Sequence, residues 1–76
     1  MKTTQEDRLT FAYALVKITN EDHEYFRNIE FNLKEKKLYF DCSFHSIDTA
    51  NAIAKATGLV ITSQRYNASD ITLYIF

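Results

Sequence analysis

The sequence has no proline and one glycine, Gly58, so few of its residues interrupt regular secondary structure. This composition excludes the glycine-rich loops that bind phosphate groups. Gly58 follows a segment in which apolar or small side chains recur at helical spacing, namely Ile47, Ala50, Ile53, Ala54 and Thr57. Ser46 can cap the start of such a segment, and glycine is favoured at its end. We therefore predict a helix over 47–57 that ends at Gly58.

Two segments of alternating apolar and polar residues precede this helix, and two follow it. Residues 29–33 and 38–44 predict a hairpin around the charged turn 34–37, because such alternation is typical of half-buried strands. Its inward residues would be Ile29, Phe31, Leu33, Leu38, Phe40, Cys42 and Phe44. After the helix, the sequences LVITSQ and ITLYIF predict a second hairpin, with the polar residues 65–70 in its turn.

The first part of the chain, TTQEDRLTFAYALVKIT, fits two kinds of element. The residues that alternate as in a strand are Leu9, Phe11, Tyr13 and Leu15. On a helical wheel, however, several polar residues of the segment gather on one narrow arc. A threonine at position 3 or 4 followed three residues later by Glu6 or Asp7 is also a capping-box pattern. We favour a helix from 4 to 18 over a strand. Residues 20–23 would then form a turn or the cap of a short extra helical piece.

These elements predict an α+β fold in a single domain, residues 1–76. A chain of 76 residues has room for one hydrophobic core. The order α-β-β-α-β-β buries its apolar faces most simply as one antiparallel four-stranded sheet with two helices on one face. If the first segment is a strand, the order becomes β-β-β-α-β-β.

The sequence DCSFH, residues 41–45, is the only place where a thiol and an imidazole come close together. A cysteine nucleophile needs a base within hydrogen-bond reach. On a strand, Cys42 shares a face with Phe40 and Phe44, whereas Asp41 and His45 point to the other face. The two histidines also lack a clear third ligand for a metal ion. We therefore expect no catalytic residue, no metal and no cofactor.

The single cysteine cannot form an intrachain disulfide, which favours a reducing compartment. The first residues, MKTTQEDRL, lack the apolar stretch of a signal peptide. No apolar run approaches the roughly 20 residues that span a bilayer. We expect a cytoplasmic protein that does not bind membranes.

Aromatic residues are frequent on the sheet face that points away from the predicted core. In the predicted register Tyr39, Tyr74 and Phe76 lie on that face, and Tyr66 lies in the adjacent turn. A small domain either covers such residues with another segment, here the N-terminal one, or uses them to bind a partner. We predict that these four residues form a partner-binding surface.

The functional hypothesis is a non-catalytic protein-interaction module. We expect a small intracellular regulator or inhibitor of microbial, phage or mobile-element origin, because compact one-domain chains without a catalytic set suit that role. The chain would bind a larger protein, or itself as a homodimer. A second alternative is a small enzyme or metal protein that uses Cys42 and His45.

The first alternative to this hypothesis is a module that binds single-stranded nucleic acid. Tyr39 and Tyr74 would stack on bases. The residues that would contact phosphates are Lys34, Lys36, Lys37 and Arg65. Glu30 and Asp41 interleave with these cations on the same face, and phosphate binding requires a continuous basic track. Nucleic acid is therefore the disfavoured partner.

Overall fold

The structure is a computed structural model that describes residues 3–66 and 71–75, and the side chains of all of these except residues 23 and 63–66. The helices are α1 (Gln5–His23) and α2 (Ile47–Thr57). The strands are β1 (Phe26–Asn32), β2 (Lys37–Cys42), β3 (Ile61–Tyr66) and β4 (Ile71–Ile75). A short 3-10 helix (Phe44–Ser46) joins β2 to α2. The predicted order α-β-β-α-β-β is confirmed, and the alternative in which the first segment is a strand is wrong.

The helix α1 begins with the predicted capping box. The backbone N–H of Asp7 donates to the Thr4 hydroxyl over 3.1 Å, and the Thr4 N–H donates to the Asp7 carboxylate over 3.2 Å. The helix continues past residue 18 to His23, so both predictions for residues 20–23, a turn and the cap of a separate helical piece, are wrong. It ends at Glu24, whose left-handed backbone (φ 54°) lets its N–H bond to the Asn20 carbonyl. The Asn20 side chain also accepts a hydrogen bond from the N–H of Phe26, and this contact favours the longer helix over a turn.

The bounds of α2 match the prediction, and Gly58 ends the helix with φ 73°. Two backbone bonds close this end, from the Gly58 N–H to the Lys55 carbonyl and from the Leu59 N–H to the Ala54 carbonyl. At the other end, Ser46 makes no capping bond through its side chain. The 3-10 helix leads directly into α2, so the backbone at Ser46 is helical rather than extended, and its hydroxyl lies 3.1 Å from that of Ser43.

The four strands form one antiparallel sheet in the order β1-β2-β4-β3. The two helices cover the same face, as predicted, and their buried residues join those of the sheet in one core. The core residues of α1 and α2 are Leu9, Ala12, Val16, Ala50 and Ile53. Those of the strands are Phe26, Leu38, Phe40, Cys42, Ile71, Leu73 and Ile75. We call the opposite face, which points away from both helices, the outer sheet face.

The first hairpin differs from its prediction at three places. The strand β1 bulges between Arg27 and Glu30, where Asn28 has a φ of 53°. Ile29 and Phe31 face the core as predicted, but Leu33 lies in the turn that joins the strands. Phe44 was predicted to face inward and is 59% exposed, because β2 ends at Cys42 and the 3-10 helix begins at Phe44.

In the second hairpin, Ile71, Leu73 and Ile75 are fully buried, as the alternation of the sequence ITLYIF predicts. The strand β3 extends further than expected. Arg65 and Tyr66 belong to β3 and not to the turn. The rest of the predicted turn, residues 67–70, lies outside the described residues. The strand β3 also has an irregular register between Ile61 and Ser63.

The sheet order separates two strands that are linked in sequence. The chain leaves β2, forms α2 and enters β3, yet β2 and β3 are not neighbours. The strand β4 lies between them and pairs antiparallel with both. The last described strand therefore occupies a central position in the sheet.

Candidate functional site

The DCSFH segment does not bring a nucleophile and a base together. Cys42 is 1% exposed and belongs to the core with Phe40 and Leu73. Asp41 points to the outer sheet face. His45 does not continue the strand, as the alternation predicted, but lies exposed in the 3-10 helix. The thiol is thus buried under the helices, while the imidazole lies in solvent beyond the end of β2.

The described residues form neither a metal-binding cluster nor a membrane span. No three histidine, cysteine, aspartate or glutamate side chains in that part of the chain come together as ligands for a metal ion. Neither of its two helices combines the length and the apolar character needed to cross a bilayer.

The outer sheet face carries the predicted tyrosines. In the register of the sheet, Glu30 of β1 lies opposite Tyr39 of β2, and Tyr39 lies opposite Tyr74 of β4. The two tyrosine rings are in contact, with centroids 5.4 Å apart and planes tilted by 32°. Each is half-buried. We call Tyr39 and Tyr74 the tyrosine pair.

Hydrogen bonds hold the polar residues around the tyrosine pair in place. The Tyr39 hydroxyl donates to the Glu30 carboxylate. The Asp41 carboxylate accepts from the Thr72 hydroxyl at one oxygen and from the Asn28 side-chain amide at the other, the latter over 2.7 Å. Both carboxylates on this part of the face therefore have donors from neighbouring strands. The face presents fixed polar groups beside two aromatic rings.

Sequence reasoning missed Asn28 and Thr72 as members of this face. Asn28 reaches Asp41 from the bulge of β1, where its backbone is left-handed. Asparagine tolerates that conformation better than most residues, so an asparagine directly before a predicted strand can indicate a bulge. Thr72 could have been found from the strand alternation, which places it beside Tyr74 on the outer face.

The tyrosine pair is not covered by the N-terminal helix. Leu9, Ala12 and Val16 of α1 are fully buried in the core on the other side of the sheet. The alternative in which the chain's own N-terminal segment covers these aromatics is therefore wrong for the described residues. Within residues 3–66 and 71–75, both helices lie on the core face and leave the outer sheet face uncovered.

The structure brings together two of the four predicted partner-binding residues, Tyr39 and Tyr74. Tyr66 pairs through its backbone with Ile71 at the end of β3, and its side chain is not among those described. Phe76 lies outside the described residues.

The cations predicted to contact phosphate groups do not form one track along this face. Lys34 and Lys36 are exposed in the turn between β1 and β2. Lys37, at the start of β2, forms an ion pair of 3.0 Å with Glu35. Arg65 lies in β3, and its side chain is not among those described. Lys34, Lys36 and Lys37 thus lie together at one end of the hairpin.

Comparisons of the chain with protein-family models, with curated proteins and with solved structures found no match. An α+β layer of this kind supports many unrelated functions. The function of the chain must therefore be inferred from the chemistry of the surfaces that the described residues form.

Proposed function

We propose that this chain is a non-catalytic protein-interaction module that binds a larger protein, or a second copy of itself, through the tyrosine pair. The observation that supports this function is the contact between two half-buried tyrosine rings on a sheet face that no described helix covers. A regulatory or inhibitory role, a cytoplasmic location and a microbial, phage or mobile-element origin belong to the same proposal. A small domain of this type would act by occupying a surface of its partner.

The chemistry of the face suits a protein partner. Tyrosine offers a large apolar ring and a hydroxyl, and it is enriched in the centres of protein interfaces. The hydrogen bond from Tyr39 to Glu30 holds its ring in one orientation, so little side-chain entropy is lost when a partner binds. Thr72, Asn28 and Asp41 supply a polar rim whose donors and acceptors are already paired.

The same residues disfavour nucleic acid. Glu30 and Asp41 place two carboxylates beside the rings that would stack on bases. Lys34, Lys36 and Lys37 lie together at one end of the hairpin, and Lys37 is paired with Glu35. A phosphate backbone needs several adjacent cations, and these two carboxylates interrupt such a track.

The direct test compares partner capture by the wild-type chain and by a double variant, Tyr39→Ala with Tyr74→Ala. Lysate from the organism that encodes the chain is passed over each immobilised protein, and retained proteins are identified by mass spectrometry. We expect the double variant to lose its partner by roughly tenfold or more, as for residues at the centre of an interface. Tyr25→Ala is the matched control, because Tyr25 is 44% exposed and lies in the α1–β1 connection.

Circular dichroism and thermal melting of each variant show whether the fold is kept. The core residues of β2 and β4 lie on the other face, so the double variant should still unfold cooperatively. A folded double variant that retains the wild-type partner would show that binding occurs elsewhere.

A second experiment separates protein from nucleic acid. Replacing the three turn lysines (Lys34→Ser, Lys36→Ser and Lys37→Ser) should leave partner capture nearly unchanged, because these residues lie at the rim or in solvent. Capture should also persist as salt concentration rises. Recovery of nucleic acid alone, with binding that weakens steeply with salt, would overturn the proposal, since each phosphate contact adds to the salt dependence.

A further inference from the structure

The helix α1 is apolar on two sides. One side is buried against the sheet through Leu9, Ala12 and Val16. The second side lies about 120° further around the helix. It leaves Phe11 55% and Ile18 56% exposed, and between them the half-buried Leu15 also packs against the core. Single exposed apolar residues are common on protein surfaces, but three at spacings of four and three form a continuous stripe along one helix face.

Opposite charges extend this stripe at its two ends. Arg8 precedes Phe11 by three residues, and Asp22 follows Ile18 by four. At 3.6 residues per turn, the five positions fall within an arc of about 80° on the helix. Arg8 and Asp22 are both exposed. We call the five residues Arg8, Phe11, Leu15, Ile18 and Asp22 the α1 stripe.

The α1 stripe is complementary to a second copy of itself in antiparallel orientation. With a rise of 1.5 Å per residue, Arg8 and Asp22 lie about 10.5 Å on either side of Leu15. Phe11 lies about 6 Å on one side of Leu15, and Ile18 lies about 4.5 Å on the other. A two-fold axis near Leu15 would therefore bring Phe11 beside Ile18 of a second copy, and Arg8 beside its Asp22.

We propose that the α1 stripe is the interface of a homodimer in which α1 of a second copy of this chain lies antiparallel across it. A two-fold axis makes each contact occur twice, so one stripe supplies two apolar pairs and two ion pairs. A parallel arrangement would place Arg8 beside Arg8 and Asp22 beside Asp22, and like charges in contact oppose association.

The surroundings of the stripe favour this arrangement. Phe11 borders a cleft of about 380 Å³ that Lys55 and Ala56 of α2 also line, so the apolar surface continues into a recess between the two helices. Asp7, next to Arg8 in sequence, already accepts the N–H of Thr4 in the capping box. Its carboxylate is thereby held toward the start of the helix.

This inference does not rest on the proposed function. The α1 stripe belongs to a helix on the core side of the sheet, whereas the tyrosine pair lies on the outer sheet face. A variant in one surface should leave the other unchanged, so the failure of either idea can be recognised separately.

The first test is the oligomeric state of the wild-type chain and of Ile18→Glu, measured by sedimentation equilibrium at up to about 100 µM protein, which reveals even weak association. We expect a wild-type dimer. In the variant the dissociation constant should rise roughly 100-fold or more, because two unpaired carboxylates would be buried at the interface. Val60→Glu is the matched control, since Val60 is 64% exposed and precedes β3. The control should remain dimeric.

A monomeric wild-type chain at the highest concentration would overturn the proposal. So would an Ile18→Glu variant that is as dimeric as the wild type. Because Ile18 is exposed in the monomer, this change should not unfold the chain, and circular dichroism checks that expectation.

The second test uses charge reversal to determine whether the two α1 helices of the dimer are antiparallel or parallel. Asp22→Arg places a second positive charge beside Arg8 of the other copy and should weaken the dimer roughly tenfold. Adding Arg8→Glu to the same chain should restore the dimer, because each ion pair is rebuilt with its charges exchanged. In a parallel dimer, or one formed through another surface, the double change would restore nothing, and that result would overturn the antiparallel arrangement.

Arg8 also has a neighbour within its own chain. Its guanidinium lies against Gly58 at the end of α2, where a Cβ added to the glycine would be 3.4 Å from Nη1. Thermal melting of every charge variant is therefore measured beside the dissociation constant. Restored dimerisation in the double variant, whatever its melting temperature, is the result that supports the interface.

Discussion

Cys42 contributes to the packing of the core and not to a reactive site. It is buried in the core at the end of β2, and the nearest base in sequence, His45, is exposed. Strand alternation was sufficient to predict this burial, because Phe40 and Cys42 share one face. The thiol therefore acts as a small apolar side chain.

We predict that Cys42→Ala lowers the free energy of unfolding by about 1 kcal/mol, because a small buried side chain is shortened. Urea denaturation measures the change. In the wild-type fold the thiol should react slowly with a thiol reagent at neutral pH. An added thiol at Val60→Cys, which is exposed, gives the rate of an accessible group. Equal rates for the two thiols would mean that Cys42 is accessible.

Gly58 is the second residue whose role depends on its backbone. Its φ of 73° lies in the left-handed region, where a side chain is strained. We predict that Gly58→Val destabilises the fold by roughly 1–2 kcal/mol, since a β-branched residue avoids this region and its Cβ would meet Arg8. Gly58→Asn, which tolerates the same φ better, is the control and should cost less. Thermal melting measures the stability of both variants. Equal losses of stability in the two variants would point to the Arg8 contact alone.

At the scale of elements, α2 could be predicted to the residue, whereas α1 could only be favoured over a strand. The reason is physical. A helix with one apolar side gives a pattern that fits no strand, but α1 is apolar both toward the sheet and toward solvent. The residues that alternate, such as Leu9 and Phe11, lie on these two sides. The α1 stripe is thus also the cause of the ambiguity.

The ends of elements were the least predictable feature. The local pattern predicted neither the 3-10 helix after β2 nor the continuation of α1 to His23. The Asn20 side chain binds the N–H of Phe26 across the end of α1, and this bond exists only once β1 is in place. The tyrosine pair, by contrast, follows from simple alternation within β2 and β4.

The capping box of α1 gives a prediction for this element. Thr4→Ala removes the hydroxyl that accepts the Asp7 N–H and should lower stability by about 1 kcal/mol. Thr10→Ala is the matched control, because the Thr10 hydroxyl bonds only to the Glu6 carbonyl within the helix and alanine is the better helix former. The control should be neutral or stabilising. Equal losses in thermal melting would show that the capping box contributes nothing specific.

At the scale of the molecule, one layer of core residues supports the whole fold. Domains of this size have stabilities of only roughly 4–11 kcal/mol. Leu73, at the centre of β4, is fully buried between the sheet and the helices. We predict that Leu73→Ala costs about 2–5 kcal/mol, a large part of the total. Thr72→Ala, on the neighbouring position of the outer face, should cost less, and urea denaturation of the pair measures the contrast.

The edges of the sheet are both irregular. The strand order places β1 and β3 at the edges, and each has a shifted register, near Asn28 in one and near Thr62 in the other. Bulges of this kind discourage an edge strand from pairing with another chain. The irregular edges are consistent with proposed partner contacts through side-chain surfaces, namely the tyrosine pair and the α1 stripe, and not through the addition of a strand to the sheet.

The central position of β4 determines the order in which the molecule can be assembled during synthesis. As the chain leaves the ribosome, α1 and the β1–β2 hairpin can form first from neighbouring segments. α2 and β3 follow, yet β3 has no strand to join, because its place in the sheet exists only when β4 arrives beside β2. The nascent chain therefore carries an incomplete sheet until residues 71–75 emerge, and the closing step is a contact between segments far apart in sequence, which is the slow kind of folding event.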